Sequence, residues 1–305
     1  KYGGISTMKT TEQFDLNATQ VSGIIQKLWG RNSDVYARLR VSTRGYAEET
    51  EDAFSHYVNL RFPEGGVQGK PASLSPGMPM HVAGFLTHTQ YQETIMKSLD
   101  AANAPDFLET VPEADKAVWR SLRFQRRNAM LNVQALQWTE EKVSLGDKAL
   151  IRRFGNAHNS AIIEGIVARL WEFTHDDGIH LFARIACYDE HTPIAEGQAG
   201  KAGRSRRMPH YLTVKLVDGK AGGYPVRLEK KMRVRVTGHI AEQGTRVTLR
   251  EQLLDTGSER VIELLGRLPN ADRLNEISSQ QSSMHIEAEA LIVYSAGRKR
   301  LKQQL

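Results

Sequence analysis

The stretch Gly23-Ile24-Ile25-Gln26-Lys27-Leu28-Trp29 returns as Gly165-Ile166-Val167-Ala168-Arg169-Leu170-Trp171, and that return decides the fold. Four more blocks come back in the same order. Tyr36-Ala37-Arg38-Leu39 recurs as Phe182-Ala183-Arg184-Ile185, and His56-Tyr57-Val58-Asn59-Leu60-Arg61 as His210-Tyr211-Leu212-Thr213-Val214-Lys215. Met78 with Val82-Ala83-Gly84 matches Met232 with Val236-Thr237-Gly238, and Ala135-Leu136 matches Ala290-Leu291. Blocks kept in order, with length changes only between them, mean two copies of one domain. Solenoid repeats have periods of about 20–50 residues, so a period this long belongs to tandem globular domains. A chain of 305 residues agrees, because domains run to about 100–200 residues each. The copies fall at residues 17–138 and 160–296, joined by a polar linker at 139–159 and followed by a basic tail at 297–305. Residues 1–16 form an N-terminal extension, in which Met8 reads as the natural start and 1–7 as an expression remnant.

The repeated blocks read as strands. Val35, Ala37, Leu39 and Val41 alternate with Tyr36, Arg38 and Arg40, the period of two that a half-buried strand requires. His56, Val58, Leu60 and Phe62 alternate in the same way with Tyr57, Asn59 and Arg61, and His210, Leu212, Val214 and Leu216 with Tyr211, Thr213 and Lys215. A fourth strand buries Met232, Val234 and Val236 and turns Arg233 and Arg235 outward. Asp177-Gly178 supplies a tight hairpin turn. Each copy thus has about five strands and one or two helical inserts, which predicts an all-β chain of two small barrels.

The inserts read as divergent surface loops. Residues 112–127 predict a helix opened by Pro112 and closed by basic residues, and Glu259 to Leu268 a second, nearly neutral one. An added loop in the second copy, Glu190 to Pro209, carries Gly197, Gly200 and Gly203 and then Arg204, Arg206 and Arg207, the composition of a mobile loop.

A net charge of +6 and a pI near 9.3 point to an anionic partner. The single cysteine, Cys187, excludes an internal disulfide framework and a Cys-rich zinc site. No apolar run reaches the roughly 20 residues of a membrane span, so the chain is expected to be soluble, cytoplasmic and nucleoid-associated. His175, Asp176, Asp177 and His180 have metal-ligand chemistry, but the Asp-Gly turn already accounts for them. There is no phosphate-cradling Gly loop followed by Lys and Ser or Thr, no Gly-x-Ser-x-Gly elbow and no His-Glu-x-x-His helix. No catalysis, cofactor or metal is expected.

The His-led third strands, the run Leu228 to Gly238 with its Lys-Lys-Met-x-Val-x-Val-x-Gly pattern, and Ile286 to Val293 resemble the bacterial-type single-stranded-DNA-binding protein family. His56 to Phe62, Leu74 to Gly84 and Asn132 to Leu136 carry the same resemblance in the first copy. At the residue before the third-strand His, where that family often has Trp, this chain has Ser55 and Pro209. The resemblance implies two tandem OB-fold barrels and sequence-tolerant binding of single strands, with bases stacked on aromatics across strands two and three. It also implies a homodimer of four barrels working in replication, repair, recombination or a mobile element.

In an OB barrel the second and third strands present the ligand face. Tyr36, Arg38, Arg40, Tyr57 and Arg61 point outward there in copy one, and Phe182, Arg184, Tyr211 and Lys215 in copy two. An aromatic beside a cation offers a base its π-face and a phosphate its charge. Arg204, Arg206, Arg207, Arg233 and Arg235 are further phosphate candidates, and Tyr46 and Tyr91 border the expected groove. The insert residues Trp119, Arg120, Arg123, Arg126 and Arg127 either clamp a strand or, through Trp119, Leu122 and Phe124, pack the insert down. Trp29 and Trp171 are expected to pack inside the barrels, and the acidic run Glu48, Glu49, Glu51 and Asp52 to shield the groove or compete for it. The expected partner is single-stranded DNA. RNA binding remains open, since the contact that separates the two is with a 2′-hydroxyl, and so does a scaffold role towards replication or recombination proteins.

Overall fold

The computed structural model describes residues 14–31, 33–42, 55–64, 67–139, 142, 159–175, 178–192, 194–199 and 205–294. The first copy supplies β1 (Asn17–Arg31), β2 (Asp34–Ser42), β3 (Ser55–Phe62), β4 (Pro79–Thr94) and β5 (Arg123–Trp138), with α1 (Ile95–Ala101), a 3-10 turn (Pro105–Thr110) and α2 (Glu113–Ser121) between the last two strands. The second supplies β6 (Asn159–His175), β7 (Gly178–Cys187), β8 (Ile194–Ala199), β9 (Ser205–Arg207), β10 (His210–Leu216), β11 (Lys220–Ala221), β12 (Tyr224–Pro225), β13 (Arg233–Thr248) and β14 (Ser278–Tyr294). Between β13 and β14 lie α3 (Leu249–Leu254), α4 (Glu259–Arg267) and α5 (Arg273–Glu276).

Strand pairing closes each copy on itself. In the first, β1 pairs with β2, β2 with β3, β3 in parallel with β5, β5 with β4, and β4 returns to β1. In the second the circuit is β6, β7, β10, β14, β13 and back to β6. These are closed five-stranded barrels with the strand order of the OB fold. The alternation holds as read: Ala37, Leu39, Val58, Leu60 and Phe62 are fully buried while Tyr36, Arg38, Tyr57 and Arg61 take the other face.

The first strand of each barrel has to pair along both edges, and two devices allow it. A Cβ on Gly23 would lie 2.4 Å from the Arg40 carbonyl oxygen, and one on Gly165 2.5 Å from that of Ala186, so only glycine permits the approach. A bulge then shifts the register between Ile25 and Lys27 in β1, and between Val167 and Arg169 in β6. A second glycine position also repeats. Gly69 and Gly222, both at positive φ, lay the loop after strand three against the Leu136 and Glu289 carbonyls. That correspondence sits two residues from the Ala135 and Ala290 match of the sequence, an even shift that keeps every face.

Compact units and sequence copies do not coincide. One unit holds Ala161–Gly238 with the segments up to Ala18 and from Ala288; the other holds Thr19–Ser160 together with His239–Glu287. The second copy's insert therefore folds with the first copy. Its Leu249, Leu253, Val261, Leu264, Leu268, Leu274 and Ile277 share one apolar core with Ile95, Leu99, Phe107, Leu108, Val111, Trp119 and Phe124. Burying an aliphatic or aromatic side chain stabilises by roughly 1.5–3 kcal/mol, which neither insert collects alone.

The inserts are also less divergent than their sequences suggest. Each opens on a threonine ending a strand and capping a helix: Thr94 accepts from the Lys97 N–H, and Thr248 forms a capping box with Glu251. Each is closed by one backbone bond, from Ile95 N–H to the Leu122 carbonyl and from Leu249 N–H to that of Ile277. Arg126 joins the two, donating to the Ser98 hydroxyl at 3.4 Å and to Gln252 Oε1 at 2.5 Å.

Two expectations are corrected. The helix read over 112–127 stops at Ser121, because Leu122 turns extended and Arg123 onward pairs with β4. The loop Glu190 to Pro209 contains a short hairpin of β8 and β9. Of the linker and tail, residues 140, 141, 143–158 and 295–305 lie outside the described residues, as do the turn residues Asp176 and Asp177 and the acidic run at 48–52.

Phe107, fully buried and edge-on to Trp119 at 5.5 Å, tests the shared core. Phe107→Ala should destabilise the unit by about 3–5 kcal/mol in urea unfolding, whereas Ala at the exposed Ser121 should change it by less than about 0.5 kcal/mol.

Candidate nucleic-acid interface

The bulges decide what the outer faces carry. Without them Trp29 would follow Ile25 inward, since residues two and four along a strand share its face. With one residue inserted, Lys27 pairs with Arg38 and Trp29 with Tyr36, all on the outer face. Trp29 is 37 % exposed and stacks on Tyr36, with centroids 5.9 Å apart and planes within 11°. The second copy repeats the stack, Trp171 pairing with Phe182 at 5.5 Å and 12°, but Phe182, expected to face outward, is only 7 % exposed because Trp171 and Phe173 pack on it, so of that pair Trp171 alone presents a ring. The expectation that both tryptophans pack inside is therefore corrected. Phe173 adds a third ring, edge-on to Phe182 at 6.4 Å and 37 % exposed.

Cations frame each aromatic pair. In copy one the Arg38 guanidinium lies 4.3 Å from the Tyr57 ring centre, Arg40 pairs in register with Tyr57, and Arg61 with Tyr36. In copy two Arg169 and Arg184 stand 5.7 and 5.5 Å from the Trp171 ring, Lys215 pairs with Phe182, and Tyr211 is 39 % exposed.

The first face also carries acids. Glu242, on β13, accepts from Arg38 Nη2 at 2.9 and 3.2 Å, and its N–H donates to His56 Nδ1 at 3.2 Å. Asp34 accepts from Arg61 Nε at 2.8 Å and from the Tyr36 hydroxyl at 3.5 Å. Burial pushes the Asp34 carboxyl up, but the Arg61 hydrogen bond, the Glu64 N–H and the Arg61 charge outweigh it, and the carboxyl sits below its ordinary range.

The other candidates are placed as follows. Trp119 is 1 % exposed in the insert core, so it packs the insert down and presents no ring to a base. Arg120 and Arg123 are exposed beside it. Arg126 is held by Glu93 at 2.6 Å as well as by Gln252. Arg127 lies on β5 opposite Gln90, and Tyr91, 38 % exposed, opposite Arg126. Burial, then the Glu93 charge, raises the Tyr91 hydroxyl above its usual range. In the other unit Arg233 is paired with the buried Asp15, and Arg235 donates to Glu164 at 2.6 Å. The Arg207 guanidinium stands 4.6 Å from the Phe14 ring. Arg206 lies on β9, its side chain outside the described residues; Tyr46 and Arg204 lie outside them altogether. Sequence reading missed Lys27, Trp29, Arg169, Trp171 and Phe173 as face residues. Only the repeated Trp marked them.

No protein-family model matches the chain, and no curated protein matches it. Among solved structures, a deletion variant of the single-stranded DNA binding protein from Thermus aquaticus is similar at 12 % identity and a TM-score of 0.48, over 95 % of this chain and 99 % of that one. The wild-type form of that protein is similar at 12 % identity and a TM-score of 0.47, over 95 % and 98 % of the two chains. The barrel assignment stands on this chain's own strand circuits.

A depressed folded-state pKa at Asp34 contributes stability above the unfolded value, 3.8, that is lost as pH falls through the folded one. Asp34→Asn should melt below the parent at neutral pH, and the two melting temperatures should converge as pH drops beneath the carboxylate range. A constant gap across that range would show that Asp34 acts other than through its charge.

Proposed function

We propose that this chain binds single-stranded DNA with little sequence preference, by base stacking and phosphate neutralisation. One observation carries the reading: a stacked cross-strand aromatic pair flanked by arginine recurs on the outer strands of both barrels, Trp29 and Tyr36 with Arg38, Trp171 and Phe182 with Arg184. Cross-strand aromatics suit sheet surfaces in general. Trp29 is left more than a third exposed and Tyr36 and Trp171 are half-buried, and such rings beside guanidinium groups in both copies suit a ligand with flat faces and regular negative charge. Every base has a π-face, so stacking tolerates sequence, and a duplex hides those faces. The net charge of +6 favours such a ligand over an acidic protein surface only through the geometry of the rings. A protein of this kind acts wherever duplex is opened, in replication, repair or recombination, and a homodimer would present four such barrels.

Fluorescence titration with labelled oligo-dT, and with duplex of equal length, tests the reading at two salt concentrations. Oligo-dT should bind far more tightly, and stronger duplex binding would overturn the proposal. Tyr211→Ala should cost about 1–3 kcal/mol with little change in salt dependence. Arg184→Ala should instead flatten the slope of log affinity against log salt by about 0.7.

A further inference from the structure

A row of side chains cuts straight across the outer face of copy one. Trp29 on β1 pairs with Tyr36 on β2, Tyr36 with Arg61 on β3, and Arg61 with Asn132 on β5. Neighbouring strands lie about 4.8 Å apart, so Arg61 stands one step from the stacked rings. Asn132 is the unusual member. It takes the outer side of its strand, in line with an arginine, yet it is only 5 % exposed. Gly84 on β4 allows that placement, since a Cβ there would collide with the Asn132 carbonyl oxygen, and a bulge between Ala83 and Gly84 resets the register beside it.

The buried amide is engaged at both ends. Its Nδ2 donates to Thr87 Oγ1 at 2.6 Å, and its Oδ1 accepts from Arg61 Nη1 at 3.4 Å. A guanidinium can only donate, so Arg61 fixes which way the amide turns. Asp34 accepts from Arg61 Nε at 2.8 Å and is itself held by the Glu64 N–H at 3.2 Å and the Tyr36 hydroxyl at 3.5 Å. The guanidinium is thus gripped at Nε and at Nη1 by side chains that are fixed in their turn, while Nη2 meets no partner among the described residues. The side chain of Arg61 remains 40 % exposed. Arg38, the other arginine beside the rings, differs, because its Nη2 gives two bonds to Glu242.

We propose that Arg61 is the phosphate anchor of the first-copy face, with Asn132 and Asp34 as positioning residues that turn its Nη2 toward a strand whose base lies on Trp29 and Tyr36; this rests on the single-strand reading above. An arginine held in place before the strand arrives loses less rotamer freedom on binding, and its planar fork can meet a phosphate through two parallel bonds. Asp34 offsets part of the charge, so what the site offers is orientation more than net charge. At the matching place in the row of copy two stands Lys215, paired with Phe182, a point charge on a flexible stem in place of a fork.

Titration of the full chain with labelled oligo-dT at several salt concentrations tests this through a double-mutant cycle. Arg61→Ala should flatten the slope of log affinity against log salt by about 0.7, one phosphate contact. Asn132→Ala should weaken binding about fivefold, the scale of one hydrogen bond, and should add nothing in the Arg61→Ala background. Arg61→Lys, which keeps the charge and loses the fork, should hold the parent's slope without its affinity, and there too Asn132→Ala should be silent. An unchanged slope in Arg61→Ala, full affinity in Arg61→Lys, or an Asn132→Ala loss that persists without Arg61 would each overturn the proposal, the last because a purely structural asparagine acts whatever stands at position 61. Should Asn132→Ala fail to fold, Thr87→Val, which takes away the hydroxyl that holds the amide, should weaken binding in the parent and not in Arg61→Ala; an equal loss in both would overturn it. A parent that binds no oligo-dT would remove the single-strand reading itself, whereas each of these failures is seen against a parent that binds.

Discussion

Both barrels depend on a first strand that pairs along two edges. The N-terminal half of β1 lies against β4 and its C-terminal half against β2, with Ile24 in both ladders. A strand doing this must coil sharply, and the coil is possible because Gly23 lets the β2 backbone come within reach and because the bulge at Gln26 takes up the extra twist. β6 repeats both with Gly165 and Ala168. The same bulge that closes the barrel reverses the side-chain phase beyond it and delivers Trp29 and Trp171 to the outer face. Closure and the aromatic outer face are therefore one solution, and a change that removed the bulge would bury the tryptophan and lose the aromatic pair together.

The inserts obey a different constraint. α1, α2 and the turn between them are too short to bury their apolar faces alone, and so are α3 to α5. Their union satisfies both. It draws the far half of β13 and the near half of β14 into the unit of the first copy. Arg126 sits where the two inserts meet, its charge met by Glu93 and its remaining donors shared between Ser98 and Gln252. A buried guanidinium with one carboxylate and two neutral acceptors is satisfied, where an unpaired one would be costly. The cation read as a phosphate ligand is thus a structural tie.

What the sequence made legible follows from the range of each interaction. Alternation is local, so the faces of β2, β3 and β10 could be read residue by residue, and the repeat located the barrels. A bulge leaves no local trace beyond Gln26 in one copy and Ala168 in the other, so the tryptophans were placed inside. Trp119 could not be assigned because its neighbour Phe107 lies beyond the helix that carries it, across a turn with no periodicity of its own. The insert repeat escaped because it rests on Thr94 and Thr248 and on the spacing of Ile95 with Leu99 and Leu249 with Leu253, too few positions to stand out between unequal loops.

The ion pairs of the first face are the least legible feature. Arg38 and Arg184 occupy one position in one pattern, yet the carboxylate that Arg38 meets, Glu242, comes from the returning arm far along the chain. The arm is held beside that face by its backbone as well, through the bond from the Glu242 N–H to His56 Nδ1. Each acidic position, 34 and 242, lies off the aromatic pair itself, so a cross-strand ring pair with an adjacent arginine persists in both copies although Arg40 and Arg61 of the first are Ala186 and Lys215 in the second.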